Sequence, residues 1–88
     1  MLERDIENYL VRKVKAKGGI AYKFTSPQRR SVPDRLVVLP RGRIFFVELK
    51  APGKKPTRLQ VREHEILRGV GQLVFVVDSK AGVDALIR

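Results

Sequence analysis

The sequence predicts an α/β domain in which a mixed four-stranded sheet is flanked by helices, in the order α-β-β-β-α-β-α. Three observations carry this. Apolar residues recur at helical spacing in two long segments, 2–17 and 57–68. Two short apolar runs, Leu36-Val37-Val38-Leu39 and Ile44-Phe45-Phe46-Val47, flank the turn Pro40-Arg41-Gly42-Arg43. A third run, Leu73-Val74-Phe75-Val76-Val77, follows the second helical segment. A tight turn makes an antiparallel hairpin. A helix long enough to cross over adds the next strand in parallel.

In the first helix Leu2, Ile6, Leu10 and Val14 repeat every fourth residue. Glu3, Asp5 and Glu7 crowd its start, and Arg12, Lys13, Lys15 and Lys17 its end, an order that complements the helix dipole. Gly18-Gly19 stops it. Residues 20–24 form a short strand and 25–32 a polar loop. Pro33 precedes the hairpin, which runs from near Asp34 to about Leu49. A basic loop, Ala51 to Pro56, leads to the second helix. There Thr57 and Gln60 have capping-box spacing, and Leu59, Ile66, Leu67 and Val70 supply the apolar side. The nearly continuous run 73–77 reads as a strand buried on both faces, hence central. Asp78-Ser79 caps a last short helix containing Val83, Leu86 and Ile87. No repeat or linker divides the chain, and 1–88 is expected to be one domain.

Lysine and arginine number 19 against 9 acidic residues, a formal charge of +10. Such an excess attracts polyanions, of which nucleic acid is the commonest; an anionic membrane surface is the blander partner. The basic residues are interspersed with apolar ones, so the charge lies on a folded surface. With no tryptophan and 7% aromatic residues, base stacking is poorly supplied, and backbone contacts are expected to dominate. The absence of cysteine excludes disulfides and thiolate metal sites. No apolar stretch has transmembrane length, so no membrane is expected as a partner and a soluble protein of the cytoplasm is. No Walker loop is present, which argues against a nucleotide cofactor.

The candidate chemistry lies at Pro33-Asp34 and Glu48-Leu49-Lys50. In an antiparallel hairpin Asp34 and Glu48 meet at the open end. Glu48 follows four apolar residues, where a charge is costly unless paired or bound to a cation. Two carboxylates, with the Leu49 backbone carbonyl beside them, suit Mg²⁺ or Mn²⁺, which take oxygen ligands. Such an ion polarises a phosphate and activates a water. Lys50, on the Glu48 face of the strand, has three readings: orienting the water, balancing charge on the phosphorane, or acting as base. Glu7 either serves the helix dipole or is a further metal ligand, direct or through water. Gln60 either caps its helix or reaches a phosphate or Lys50; the two need not conflict. Arg29, Arg30, Arg35, Lys54, Lys55 and Arg58 flank the site and are candidate DNA phosphate contacts. The lone histidine, His64, reads as a surface or partly packed residue. A zinc hydrolase with the usual ligands is not supplied.

These residues resemble the PD-(D/E)xK nuclease superfamily. More closely, nearly the whole chain resembles a small stand-alone VRR-NUC (virus-type replication-repair nuclease) domain. Pro33-Asp34 and Glu48-Leu49-Lys50 match its two central steps. Glu7 matches a glutamate on its first helix, and Gln60 a glutamine opening the later one. The resemblance implies a restriction-endonuclease-like core, metal held by Asp34, Glu48 and the Leu49 carbonyl, and Lys50 as the catalytic lysine. Small members resemble Holliday junction resolvases, which implies a homodimer nicking branched DNA in a bacterial cell or a phage-infected host. The apolar residues Val83, Leu86 and Ile87, or an exposed strand edge, are candidate seams for such a dimer. Ser31 departs from the pattern: a glycine often stands at its place, and a serine can hold an ordinary loop conformation but not a strongly glycine-specific one, which bears on the loop path and not on the chemistry. Two other readings compete. One is a nuclease for flaps, ends or nonspecific duplex. The other is a basic binding protein without catalysis, which would account for the charge but not for Glu48 after Ile44–Val47.

Overall fold

The computed structural model describes all 88 residues, Met1–Arg88. The elements are α1 (Glu3–Ala16), β1 (Ile20–Lys23), β2 (Arg35–Leu39), β3 (Arg43–Leu49), α2 (Arg58–Gly69), β4 (Val74–Val77) and α3 (Lys80–Leu86). They form one mixed sheet in the order β1-β2-β3-β4. The first three strands are an antiparallel meander, and β4 joins β3 in parallel after the α2 crossover. The predicted class and element order are those observed.

The core lies between one face of the sheet and helices α1 and α3. Ile6, Leu10 and Val14, spaced every fourth residue, are fully buried on α1. They meet Val37 and Leu39 of β2 and Phe45, Val47 and Leu49 of β3, the alternate residues that share one face. Tyr9 donates a 2.7 Å hydrogen bond from its hydroxyl to Asp84, which also pairs with Lys13, tying α1 to α3. Gly19 is required where α1 turns into the sheet, because a Cβ there would collide with the Val38 carbonyl oxygen.

Four expectations are corrected. First, the run 73–77 is not central: β4 is an edge strand, with Leu73 and Val76 exposed. Its apolar character reflects β3 on one side, α3 on one face and α2 on the other, while its outer edge has no partner. Secondly, most of the apolar residues of α2 do not face the sheet, and only Leu67 is half-buried. Leu59, Ile66 and Val70 are exposed, and the buried residues of that helix are Glu63 and His64. Thirdly, Val83 and Ile87 belong to the monomer core, so they are not available as a seam between copies. Fourthly, Ser31 takes a left-handed conformation at φ 62°.

Candidate active site

Asp34 immediately precedes β2. Its backbone carbonyl accepts a hydrogen bond from the Phe24 N–H (2.9 Å), which extends the β1–β2 pairing by one step. Its side chain accepts from the Leu49 N–H at 2.8 Å and so bridges to β3. The register pairs Arg35 with Val47. One step further outward, Asp34 stands opposite Glu48, where cross-strand Cβ atoms lie about 5 Å apart. Strand alternation turns both carboxylates toward the α2 side of the sheet, away from the apolar core. The predicted convergence is the observed arrangement.

Glu48 is 1% exposed. Its two oxygens are held by α2: Gln60 donates from Nε2 to Oε2 (3.1 Å), and His64 Nε2 lies 3.1 Å from Oε1. Gln60 also closes the capping box with Thr57, since its Oε1 accepts from the Thr57 N–H and its own N–H reaches the Thr57 hydroxyl. One side chain therefore starts the helix and aims its amide at the site. No buried side-chain polar atom lacks a partner.

Burial pushes the Glu48 carboxyl up to about 8, helped by the hydrogen bond and the negative charge of Asp34; Lys50 opposes this. Burial also holds the His64 imidazole below its ordinary value, with the Arg68 charge acting in the same sense. A neutral ring can share this hydrogen bond with Glu48 in either direction, according to its tautomer, without bringing a counter-charge. The expectation that His64 is a surface or partly packed residue is thus overturned. The sequence signal was available: His64 lies four residues after Gln60, one helical turn along the same face.

The remaining candidates divide. Glu7 lies on the α1 side of the sheet, where its carboxylate accepts from Arg35 Nε at 2.8 Å. Arg35 spends a second donor on the Ala21 carbonyl (3.0 Å). Another α1 acid, Glu3, adds a small electrostatic push on Glu48. Arg29 forks onto Glu63 through bonds of 2.6 and 3.0 Å. Arg30, Lys54, Lys55 and Arg58 are exposed and make no ion pair within the chain. The loop before Pro33 and α2 enclose an open cavity of about 300 Å³ lined by Arg29, Arg30 and Arg62 among others, so Arg62 joins the basic rim unforeseen.

No group of three or more His, Cys, Asp or Glu side chains is gathered as a ready metal cage. The residues present still fit a hard divalent cation. Two carboxyl groups face each other, burial and the Asp34 charge push the Glu48 pKa up, and a cation between them would stabilise both as carboxylates in place of the proton. Mg²⁺ commonly takes one or two carboxylates and completes its shell with water and substrate phosphate.

No family model matches the chain. The chain is 60% identical over 78 residues to "Putative nuclease p44" of Acyrthosiphon pisum secondary endosymbiont phage 1, covering 89% of this chain and 84% of the relative. A solved structure described as "VRR_NUC domain" superposes with a TM-score of 0.90 at 44% identity, over 97% of this chain and 92% of the other. At that identity and coverage the likeness extends beyond fold to kinship, and the chain belongs to the VRR-NUC family, within the PD-(D/E)xK nuclease fold.

Proposed function

We propose that this protein is a Mg²⁺- or Mn²⁺-dependent DNA endonuclease that nicks branched DNA, such as a four-way junction, as a homodimer. The observation that carries the chemistry is the Asp34–Glu48 pair, set across adjacent strands and braced by Gln60 and His64. Asp34, Glu48 and the Leu49 carbonyl would hold the ion, and Glu7 would reach it only through water or by leaving Arg35. When bound, the ion polarises the scissile phosphate and lowers the pKa of a water. Gln60 and His64 fix the Glu48 carboxylate in one orientation, so little reorganisation is left for the reacting complex. Alternation sets Lys50 on the carboxylate face, beside Glu48, where its ammonium balances charge on the phosphorane. Arg30, Lys54, Lys55 and Arg58 grip flanking phosphates, with Arg29 on the rim and Arg35 acting mainly to fix Glu7.

The second face of the sheet supports the homodimer. There α2 covers only the Glu48 end. Ile20, Tyr22 and Ile44 remain about half exposed, and Leu36 and Phe46 are half-buried. Ile66, Val70 and Leu73 are further exposed apolar residues at and after the end of α2. A second copy pairing through this face would bury it and place two nicking sites about a two-fold axis, as a four-way junction requires.

The test is cleavage of labelled four-way junction, flap, single strand and duplex in Mg²⁺, Mn²⁺ or chelator. Two symmetric nicks in the junction are expected, with none in chelator. Equal cutting of duplex and flap would replace the junction reading, and cleavage in chelator would overturn the metal. Lys50→Ala should lower turnover by roughly a hundredfold or more with metal affinity little changed. An unchanged rate would reduce Lys50 to a surface charge.

A further inference from the structure

At the end of the molecule opposite the carboxylates, a cavity of about 440 Å³ is lined by Lys17, Pro40, Arg41, Arg43 and Arg88. All four cations are exposed, and none takes part in an ion pair or side-chain hydrogen bond within the chain. They come from three separate places: the end of α1, the β2–β3 turn and the residue after Ile87. The fold brings them together by packing. Gly18, at φ +84°, ends α1 so close to the turn that a Cβ on it would lie 3.6 Å from Pro40. The acids are elsewhere. Glu3, Asp5 and Glu7 are at the far end of α1, Asp34 and Glu48 at the far end of the hairpin, and Asp84 is occupied by Lys13 and Tyr9. Arg41 holds φ 68°, a left-handed conformation that strains a non-glycine residue and that a turn more often gives to Asn or Gly. Neither helix capping nor hairpin closure needs an arginine there.

We propose that this cluster is a second nucleic-acid contact, gripping backbone phosphates of the substrate away from the cleavage site. Five strand steps separate Arg43 from Glu48, about 17 Å at the usual rise of β structure. That is a span of about five base pairs of duplex. The cluster therefore touches a part of the substrate that a short oligonucleotide cut near its end does not possess. Its arginines present planar forks suited to phosphate oxygens, and with no acidic partner they need release only water and counterions. This proposal rests on the reading that the protein binds DNA and is independent of its catalytic step.

The test uses the full chain carrying Arg41→Gly and Arg43→Gln, a pair that keeps the turn conformation. Binding to long-armed junctions and to duplexes of increasing length is measured by anisotropy across a salt series in chelator. Each lost phosphate contact removes about 0.9 from the log–log salt slope. A fall of about 2 in slope is expected on long substrates, with at least a tenfold loss of affinity at low salt. Cleavage of a duplex too short to span the distance should stay at the wild-type rate. A control variant with Arg4→Gln and Lys80→Gln, at the starts of α1 and α3, removes the same charge away from the cluster. An unchanged slope, or an equal fall in the control, overturns the second contact and leaves a solvated charge cluster. The two readings fail separately. A protein that loses slope but never cuts keeps this site and loses the nuclease assignment, and one that cuts with an unchanged slope does the reverse.

Discussion

The two faces of the sheet are built on opposite terms. The face toward α1 and α3 is apolar and closed: Val37, Leu39, Phe45, Val47 and Leu49 meet Ile6, Leu10, Val14, Val83 and Ile87. The face toward α2 buries a glutamate and a histidine at one end and leaves Ile20, Tyr22 and Ile44 in solvent at the other. On the first face, burial follows hydrophobicity and reports stability alone. On the second, the inversion of that rule is informative. In the function proposed above, the carboxylate buried against its own kind serves the chemistry and the apolar side chains left open serve the partner.

The largest effect expected is on the second face. Asp34→Asn removes one carboxylate and should abolish cleavage. DNA binding in Ca²⁺ or chelator should survive or tighten, because a negative charge near phosphate is lost. A variant that cuts at the wild-type rate would remove Asp34 from the site and dissolve the contrast between the faces.

Next comes a matched pair of truncations. Leu10→Ala, on the closed face, should destabilise the domain by about 2–5 kcal/mol in denaturant unfolding. Ile44→Gln, on the open face, should cost the monomer little and shift a dimer toward 10 kDa monomers in light scattering. Equal losses of stability from both changes, with no change in mass, would show the open face to be mere surface.

The helical half of the closed face was legible from periodicity, because spacing by four in 2–17 marks Ile6, Leu10 and Val14, whereas the unbroken runs 36–39 and 44–47 do not show which alternate residues are buried. The pair Asp34–Glu48 was legible too, since hairpin register alone sets one opposite the other. The rest depended on tertiary placement. The run 73–77 gives no sign of whether one neighbour or two flank it, so β4 at the edge was hidden. The orientation of α2 was misread because Leu59, Ile66, Leu67 and Val70 outweigh Gln60 and His64 in any hydrophobic pattern. What turns the helix is hydrogen bonding to Glu48, which no apolar count detects. Arg35 and Arg29 looked like free cations because their partners, Glu7 and Glu63, are distant in sequence.

The raised Glu48 carboxyl makes the contrast pH-dependent. Its pKa rises from 4.5 to about 8 on folding, so between those values the folded chain binds the extra proton. Stability from this group is complete below pH 4.5 and is lost as pH climbs through 8. His64, lowered by burial, works in the opposite sense but only below its ordinary value of 6.5. The clean window is therefore pH 6.5–8.5, where the melting temperature in chelator should fall. Glu48→Gln should flatten that fall, and saturating Mg²⁺ or Mn²⁺ should reverse it. A wild-type melting temperature constant across the window would show that Glu48 ionises freely.

The smallest effect concerns Ser31, on the rim of the α2-side cavity. Its φ of 62° lies where a Cβ clashes with backbone, costing a serine about 1–2 kcal/mol. Ser31→Gly removes that cost. It also gives the unfolded chain more freedom, a penalty of roughly 0.5–1 kcal/mol. The Ser31 hydroxyl makes no hydrogen bond within the chain, so the substitution gives up none. The balance favours the glycine by about 0.5 kcal/mol, or about 2–4 °C in melting temperature for a domain of this size. Cleavage should be unchanged, because Ser31 shapes the loop leading to Pro33 without holding either carboxylate. A lower melting temperature would mean that the serine is held there by a contact worth more than the strain. A loss of cleavage with the fold intact would mean that the stiffness of this loop helps to place Asp34, joining the rim of the open face to its chemistry.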